Sequence, residues 1–243
     1  MTQQGLQFPQ FYVTAEGECP YLPDRLERKV FTELTGFDAS SLNDALSRVG
    51  FRRSQGVAYR PACEKCAACI SVRVIATNYS PSKSMKKVIK NNRDISFSIQ
   101  PAIATQEQYT LLMQYLNSRH SDGSMVDMTF EEYREMVESS TVNTNIIEYR
   151  KFIDNKLLAV ALTDQMSDGL SMVYSFYNPH EVARGLGNYI IVRHIEYCQD
   201  HNIPYVYLGY WVKESPKMAY KSRFRPLEML GPDGWSLYKP DSQ

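Results

Sequence analysis

The sequence predicts an α/β (α+β) chain: a mixed, mainly antiparallel sheet with flanking helices, preceded by a smaller cysteine-containing N-terminal domain. Three observations carry this. Two capping-box patterns, Thr105-Gln-Glu-Gln108 and Thr129-Phe-Glu-Glu132, open helical stretches. Three apolar runs, Asn145–Ile153, Leu157–Met166 and Leu170–Tyr177, follow one another across the short polar turns Asp154-Asn-Lys and Ser167-Asp-Gly, which is an antiparallel meander. Cys63-Glu-Lys-Cys66-Ala-Ala-Cys69 sets the first part of the chain apart. The expected boundary divides residues 1–94 from residues 95–243.

The remaining elements follow in order. Cys19-Pro-Tyr-Leu-Pro reads as extended, because each proline keeps its predecessor out of the helical region. Asp24 to Leu34 is open between helix and strand. Ser41 caps a short helix to Val49, and Phe51 to Arg60 reads as a hairpin turning at Ser54-Gln-Gly. Val72–Ala76 is a strand, Ser82–Asn92 a helix with Lys83, Lys86, Lys87 and Lys90 on a broad face, and Ile95–Ile99 a strand. After the meander, Gly187, Ile191, Ile195 and Cys198 share one face of a helix opened by Arg184-Gly-Leu-Gly187. Ile203–Tyr210 is a further strand. Ser215 caps a short helix, and the tail after Pro226 is strand-like.

Composition narrows the function. In 243 residues, 43% are hydrophobic, enough for a real core, and no apolar run approaches a bilayer span. The start, MTQQGLQFPQFYV, lacks the basic and apolar regions of a secretory signal. Five cysteines, an odd number, suit reduced thiols in a cytoplasm better than a disulfide scaffold. Lys plus Arg equals Asp plus Glu at 27 each, yet the charge is unevenly spread. Gly50–Arg93 carries a net +9, Asp94–Val182 a net −8, and Lys213–Arg225 is again basic. Two basic stretches around an acidic one suit a molecule with one face toward a phosphate backbone.

Several residues are candidates for chemistry. The C-x₂-C-x₂-C run, with Cys19 as a fourth thiolate, is a candidate structural zinc or iron–sulfur ligand set. Asp164 ends an apolar strand, where a carboxylate is paired, hydrogen-bonded or at a rim. Arg119-His120 lies at a helix end before a loop. The stretch Tyr207–Pro226 packs Gly209, Tyr210, Trp211, Lys217, Tyr220 and Lys221 together. Its aromatics suit stacking on a base or ribose, and its lysines suit phosphate.

The order helix, helix, meander, glycine turn, helix, strand resembles the GNAT (N-acetyltransferase) architecture, in which an acyl donor sits where two strands splay apart. Here those are Leu170–Tyr177 and Ile203–Tyr210. A coenzyme A loop of that fold carries Gln or Arg where this chain has Val182, which counts against acetyl-coenzyme A. More specifically, the chain resembles the arginyl-tRNA–protein transferase family, in its shorter bacterial branch. The matching elements are Cys19-Pro-Tyr-Leu-Pro-Asp-Arg25, Gly50-Phe-Arg-Arg-Ser, Tyr59-Arg-Pro with the three cysteines, Ser71-Val-Arg73, Arg119-His120, Thr163-Asp164, Tyr174-Ser175-Phe-Tyr-Asn-Pro179 and Gly209–Phe224. Asn178 stands where the family usually has Asp.

The resemblance implies transfer of leucine from leucyl-tRNA to proteins beginning with Asp or Glu, marking them for degradation. No coenzyme A or ATP is needed for the chemistry, because the donor is already an activated ester. The alternatives are arginyl-tRNA as donor, an acetyltransferase using acetyl-coenzyme A, and a non-catalytic nucleic-acid-binding module with a cysteine-held metal. The expected partners are an aminoacyl-tRNA and an acidic protein N-terminus, with no membrane, and the expected state is a monomer. Asp164 is expected to bind or deprotonate the acceptor ammonium, backbone N–H groups near Ser175 or Phe176 to be the oxyanion donors, and Tyr210 to help the ribose oxygen leave. Arg73, Arg119, His120 and Lys217 are expected to read the acceptor's carboxylate. Tyr220 and Lys221 belong to the substrate site, Lys221 toward tRNA phosphate. Lys83, Lys86, Lys87 and Lys90 are expected to hold the tRNA body.

Overall fold

The computed structural model describes residues 9–36, 38–119, 121, 123 and 125–240. The N-terminal part holds β1 (Tyr12–Val13), β2 (Gly17–Glu18), β3 (Leu26–Glu27), β4 (Lys29–Glu33), helix α1 (Ala39–Arg48), β5 (Arg52–Ser54) and β6 (Val57–Pro61). Strands β1, β4, β6 and β5 form a small sheet in that order, and β2 pairs with β3. The β5–β6 hairpin turns at Gln55-Gly56, with Gln55 in the left-handed region (φ +49°). α1 starts two residues before the expected Ser41, and its preceding residue Asp38 makes no side-chain cap bond.

The rest follows as β7 (Ile70–Ile75), α2 (Lys83–Asn91), β8 (Ile95–Pro101), α3 (Gln106–Arg119), α4 (Phe130–Glu138), β9 (Thr144–Lys151), β10 (Leu157–Gln165), β11 (Gly169–Tyr177), α5 (Leu186–Asp200), β12 (Tyr205–Trp211), β13 (Leu227–Gly231) and β14 (Gly234–Leu237). The expected short helix after Ser215 is a 3₁₀ turn, Ala219–Arg223. An eight-stranded sheet runs β14-β13-β7-β12-β11-β10-β9-β8. Among the described strands only β11 and β12 pair in parallel, and α5 makes the crossover that a parallel pair requires.

The boundary expected after residue 94 does not coincide with the division between the two main sheets. β7 pairs with both β12 and β13 inside the large sheet, and α2 packs on α5. A strand's own sequence does not name its partners, and β12 lies far along the chain. The main body thus recruits residues 70–94, leaving the small sheet, α1 and the cysteine loop as the N-terminal part.

Both faces of the mixed, mainly antiparallel sheet are covered by helices. α5 packs on one face with Leu158, Ala161 and Val206. α3 and α4 pack on the other, with Leu112, Tyr133, Val160 and Phe176 in one cluster. Both capping boxes form: Thr105 and Gln108 exchange bonds of 3.0 and 3.2 Å, as do Thr129 and Glu132 at 2.7 and 3.2 Å.

His194 on α5 is wholly buried. Its Nδ1 faces the Ile190 carbonyl at 2.8 Å, so this nitrogen carries the proton and Nε2 accepts from the Thr163 hydroxyl at 2.9 Å. Burial lowers its pKa from 6.5 to about 4. Between those values the unfolded chain binds the extra proton and the folded one does not, so stability falls with acid. Denaturant titrations at pH 6.5 and 5 are expected to differ by roughly 2 kcal/mol through this residue. His194→Gln is expected to flatten that part of the slope.

Candidate functional site

The sheet opens between β11 and β12. Their parallel ladder covers only Gly169–Ser171 against Tyr205–Tyr207. Beyond it the strands part around a cleft of about 730 Å³. One wall is β11 from Met172 to Tyr177, and another is the turn from Val182 to Gly185 with the first residues of α5. The floor includes Leu208 and Ile191, and the 3₁₀ segment adds Tyr220 and Lys221.

A bulge falls in β11 at Val173, because Leu162 faces Tyr174 while the next residue, Thr163, faces Met172. The N–H of Asn178 points into β10, toward the Leu158 carbonyl at 2.8 Å. Strand alternation then turns the backbone groups of Ser175 and Tyr177 to the outer edge, toward the cleft, and those of Phe176 inward. Of the two expected oxyanion positions, Ser175 has the suitable orientation.

Arg52 comes into the opening from the N-terminal part. Its Nη2 donates to the carbonyls of Met172 (2.7 Å) and Val173 (3.4 Å). Across from them, Gly209 holds φ +76°, and a Cβ there would overlap the guanidinium. Gly209 is also where the β12–β7 register shifts. A glycine at this place serves two needs, a left-handed backbone and room for a side chain from elsewhere.

Of the expected site residues, Ser175, Arg119, Lys217, Tyr220 and Lys221 line this cleft. Lys217 and Arg119 are exposed at its rim, whereas Lys221 is buried and donates from Nζ to the Tyr210 carbonyl at 2.6 Å. Burial and the Arg52 charge bring Lys221 down to about 7. His120 lies outside the described residues. The cleft's only acid among the described residues, Glu181, is held by Lys151 (3.2 Å) and Arg184 (2.9 Å).

Three expectations need correction. Asp164 is no free base: Arg53 grips both its oxygens, Nε to Oδ2 at 2.6 Å and Nη2 to Oδ1 at 2.7 Å, and Thr144 donates to Oδ1 at 2.7 Å. Both side chains of the pair are 1% exposed, so this is a buried clamp between β5 and β10. Arg73 is spent on structure outside the cleft, on Glu228 (2.7 Å) and the Tyr207 hydroxyl (2.9 Å), with its guanidinium over the Tyr205 ring. Tyr210 turns its ring away from the cleft, and its hydroxyl points at the carbonyls of Gly50 (2.9 Å) and Tyr59 (3.0 Å). Burial raises that phenol well above its ordinary range, so it stays protonated as a structural donor.

A second cavity, of about 690 Å³, is lined by Cys19, Cys63, Cys66 and Cys69 together with Tyr210. Desolvation pushes the Cys69 thiol up to about 12, and the other three thiols act in the same direction. Among the described residues, no group of three or more His, Cys, Asp or Glu is arranged to hold a metal ion. The four thiols share a cavity without closing into a ligand set, so they do not fit the expected metal as arranged. Tyr21 borders both this cavity and the cleft.

Lys83, Lys86, Lys87 and Lys90 are exposed on α2 and line neither cavity. The end of α2 is nonetheless fastened to the cleft's rim loop. The Asn91 and Asn92 amides donate to the carbonyls of Ala183 (3.3 Å) and Arg184 (2.8 Å). Sequence reasoning missed Arg52, although Gly50-Phe-Arg-Arg-Ser stood among the matching motifs. It also missed the ring wall of Tyr115 and Tyr177, whose centroids lie 4.9 Å apart.

Known proteins place the chain. The model of the arginine-tRNA-protein transferase N terminus matches residues 17–87, and that of its C terminus residues 107–231. An aspartate/glutamate leucyltransferase of Parvibaculum lavamentivorans is 53% identical over 239 residues, covering 98% of this chain and 99% of that one. One of Sphingopyxis alaskensis is 52% identical, covering 96% of this chain and 93% of that one. Among solved structures, L-PGS from Bacillus licheniformis superposes with a TM-score of 0.47 at 10% identity, over 60% of this chain and 46% of that one. No helix among the described residues is long and apolar enough to cross a membrane. By both halves of its length, and by its full-length relatives, the chain belongs to the arginine-tRNA-protein transferase family.

Proposed function

We propose that the protein transfers leucine from leucyl-tRNA to the α-amine of proteins beginning with Asp or Glu, marking them for degradation. One observation supports this above the rest. The cleft gathers Arg52, Arg119, Lys217 and Lys221, while its one carboxylate among the described residues, Glu181, is already bound by Lys151 and Arg184. A cleft with surplus positive charge suits an acidic acceptor. It disfavours arginine as the transferred residue, since that would add another cation. Met172, Val173, Leu208 and Ile191 offer apolar surface for a leucine side chain. Burying that side chain contributes about 1.5–3 kcal/mol.

The reaction is aminolysis of an ester. The neutral amine nitrogen adds to the ester carbonyl carbon and gives up one proton, and the ribose oxygen leaves with the bonding pair and takes up a proton, leaving an amide and a free ribose hydroxyl. A free α-amine has a pKa of about 7.7–8.0, so part of it is neutral at pH 7 without a strong base. Positioning therefore does most of the work, and effective molarity supplies up to about 7–11 kcal/mol. The Ser175 N–H meets the developing oxyanion at the edge of β11. No cofactor enters these steps, and the protein acts as a monomer. α2, fastened beside the rim, offers Lys83, Lys86, Lys87 and Lys90 to tRNA phosphates.

A one-pot assay tests this. Leucyl- or arginyl-tRNA is offered to peptides beginning with Asp, Glu, Asn or Lys. Leucine is expected on the Asp and Glu peptides, at least tenfold faster than on Asn. Equal use of arginyl-tRNA, or transfer to the Lys peptide, would overturn the reading. Charge reversal at Lys83 and Lys87 is expected to raise the KM for charged tRNA several-fold and leave the order of acceptors unchanged.

A further inference from the structure

We propose that Arg52 is the residue that recognises the acceptor's side-chain carboxylate. This rests on the function proposed above and deepens it. Arg52 and Arg53 are neighbours on β5, and strand alternation sends them to different fates. Arg53 is consumed by Asp164. Arg52 spends only Nη2, on two uncharged backbone carbonyls. No carboxylate among the described residues pairs with it, and its Nε and Nη1 have no protein acceptor among them.

Its position suits the task. Arg52 stands half-buried in the wedge where β11 and β12 part, against Gly209 and beside the bulge at Val173. Ser175 lies two residues further along β11, on the same outer edge. A carboxylate held by Arg52 therefore places its own α-amine within the cleft that contains the oxyanion position. Lys221 shares this wall, and its burial beside Arg52 favours its neutral form. An arriving carboxylate pairs with Arg52 and favours the charged form of Lys221. Arg119 and Lys217 are exposed on the rim, where water screens them and weakens discrimination. A partly desolvated guanidinium separates a carboxylate from an amide far better, because the amide leaves its donors unsatisfied.

The test measures kcat/KM with leucyl-tRNA and paired peptides beginning with Asp or Asn. In wild type the Asp peptide is preferred. Arg52→Met is expected to cut kcat/KM for the Asp peptide about 10- to 100-fold, the span of a charge-assisted bond, and to leave the Asn peptide within about threefold. The preference then collapses. If Arg52 merely plugs the strands apart, both peptides suffer alike and the preference survives, which would refute the assignment. Should Arg52→Met not fold, Arg52→Lys decides. Lysine keeps the charge but not the planar fork, so the preference is expected to drop several-fold, and an unchanged preference refutes the assignment. A wild-type protein that transfers no leucine to the Asp peptide sinks the proposed function itself. One that prefers Asp while the Arg52 variants keep that preference sinks only the present inference.

Discussion

Asp164→Asn is expected to destabilise the protein by about 3–5 kcal/mol, because it leaves the Arg53 guanidinium buried without its counter-charge. That is a large share of the 5–15 kcal/mol typical of a folded domain. The pair joins β5 of the small sheet to β10 of the large one, and Thr144 ties the same carboxylate to β9. Its loss therefore loosens the strand that also carries Arg52. Two outcomes separate a clamp from a catalytic base. As a clamp, Asp164→Asn lowers the denaturant midpoint sharply, while the folded fraction at low temperature keeps single-turnover transfer within about threefold. As a base, it leaves the midpoint near wild type and abolishes transfer. The double variant Arg53→Met with Asp164→Leu sharpens the contrast, since replacing both charges with apolar groups often recovers the loss. Recovered stability in the double variant supports the clamp. Stability that falls additively argues that the two residues do not depend on each other.

The same pair shows where reading the sequence stops. The meander was legible because its turns are short and polar and its strands apolar, a local signal. The helices with capping boxes were legible for the same reason: Thr105 with Gln108 and Thr129 with Glu132 are three residues apart. The surroundings of Asp164 allowed a paired, bonded or rim position, and the first two hold. Its partner was not legible, since Arg53 lies 111 residues away. Nor does the string Arg52-Arg53 say which guanidinium goes to the core and which to the cleft. β7 illustrates the same limit, as its apolar residues announce a buried strand but not that β12 and β13 flank it. For Arg73, three aromatic rings and Glu228 converge from β12, β13 and β14, and only the sheet order brings them together. The lysines of α2 were legible as an exposed charged face; their place beside the cleft depends on Asn91 and Asn92 docking on a distant loop.

Gly209→Ala is expected to remove acceptor selection almost completely, although it adds one methyl group. Two costs add at this residue. The φ of +76° disfavours any side chain by about 1–2 kcal/mol. The new Cβ also overlaps the Arg52 guanidinium, so the arginine must leave the wedge. Its hydrogen bonds to Met172 and Val173 are then lost. The next residue, Tyr210, supplies the carbonyl that holds Lys221, so a shift of β12 disturbs the second cation as well. Transfer to the Asp peptide is expected to fall 100-fold or more, with a loss of about 2–3 kcal/mol in stability from strain and overpacking. Combining Gly209→Ala with Arg52→Ala separates the two costs. Removing the arginine relieves the overlap, so the thermal midpoint is expected to recover part of its loss. The preference for Asp over Asn stays lost, because the guanidinium is gone. If Gly209→Ala alone kept both the midpoint and the preference, Arg52 would not occupy the wedge in solution, and β12 would need no glycine there.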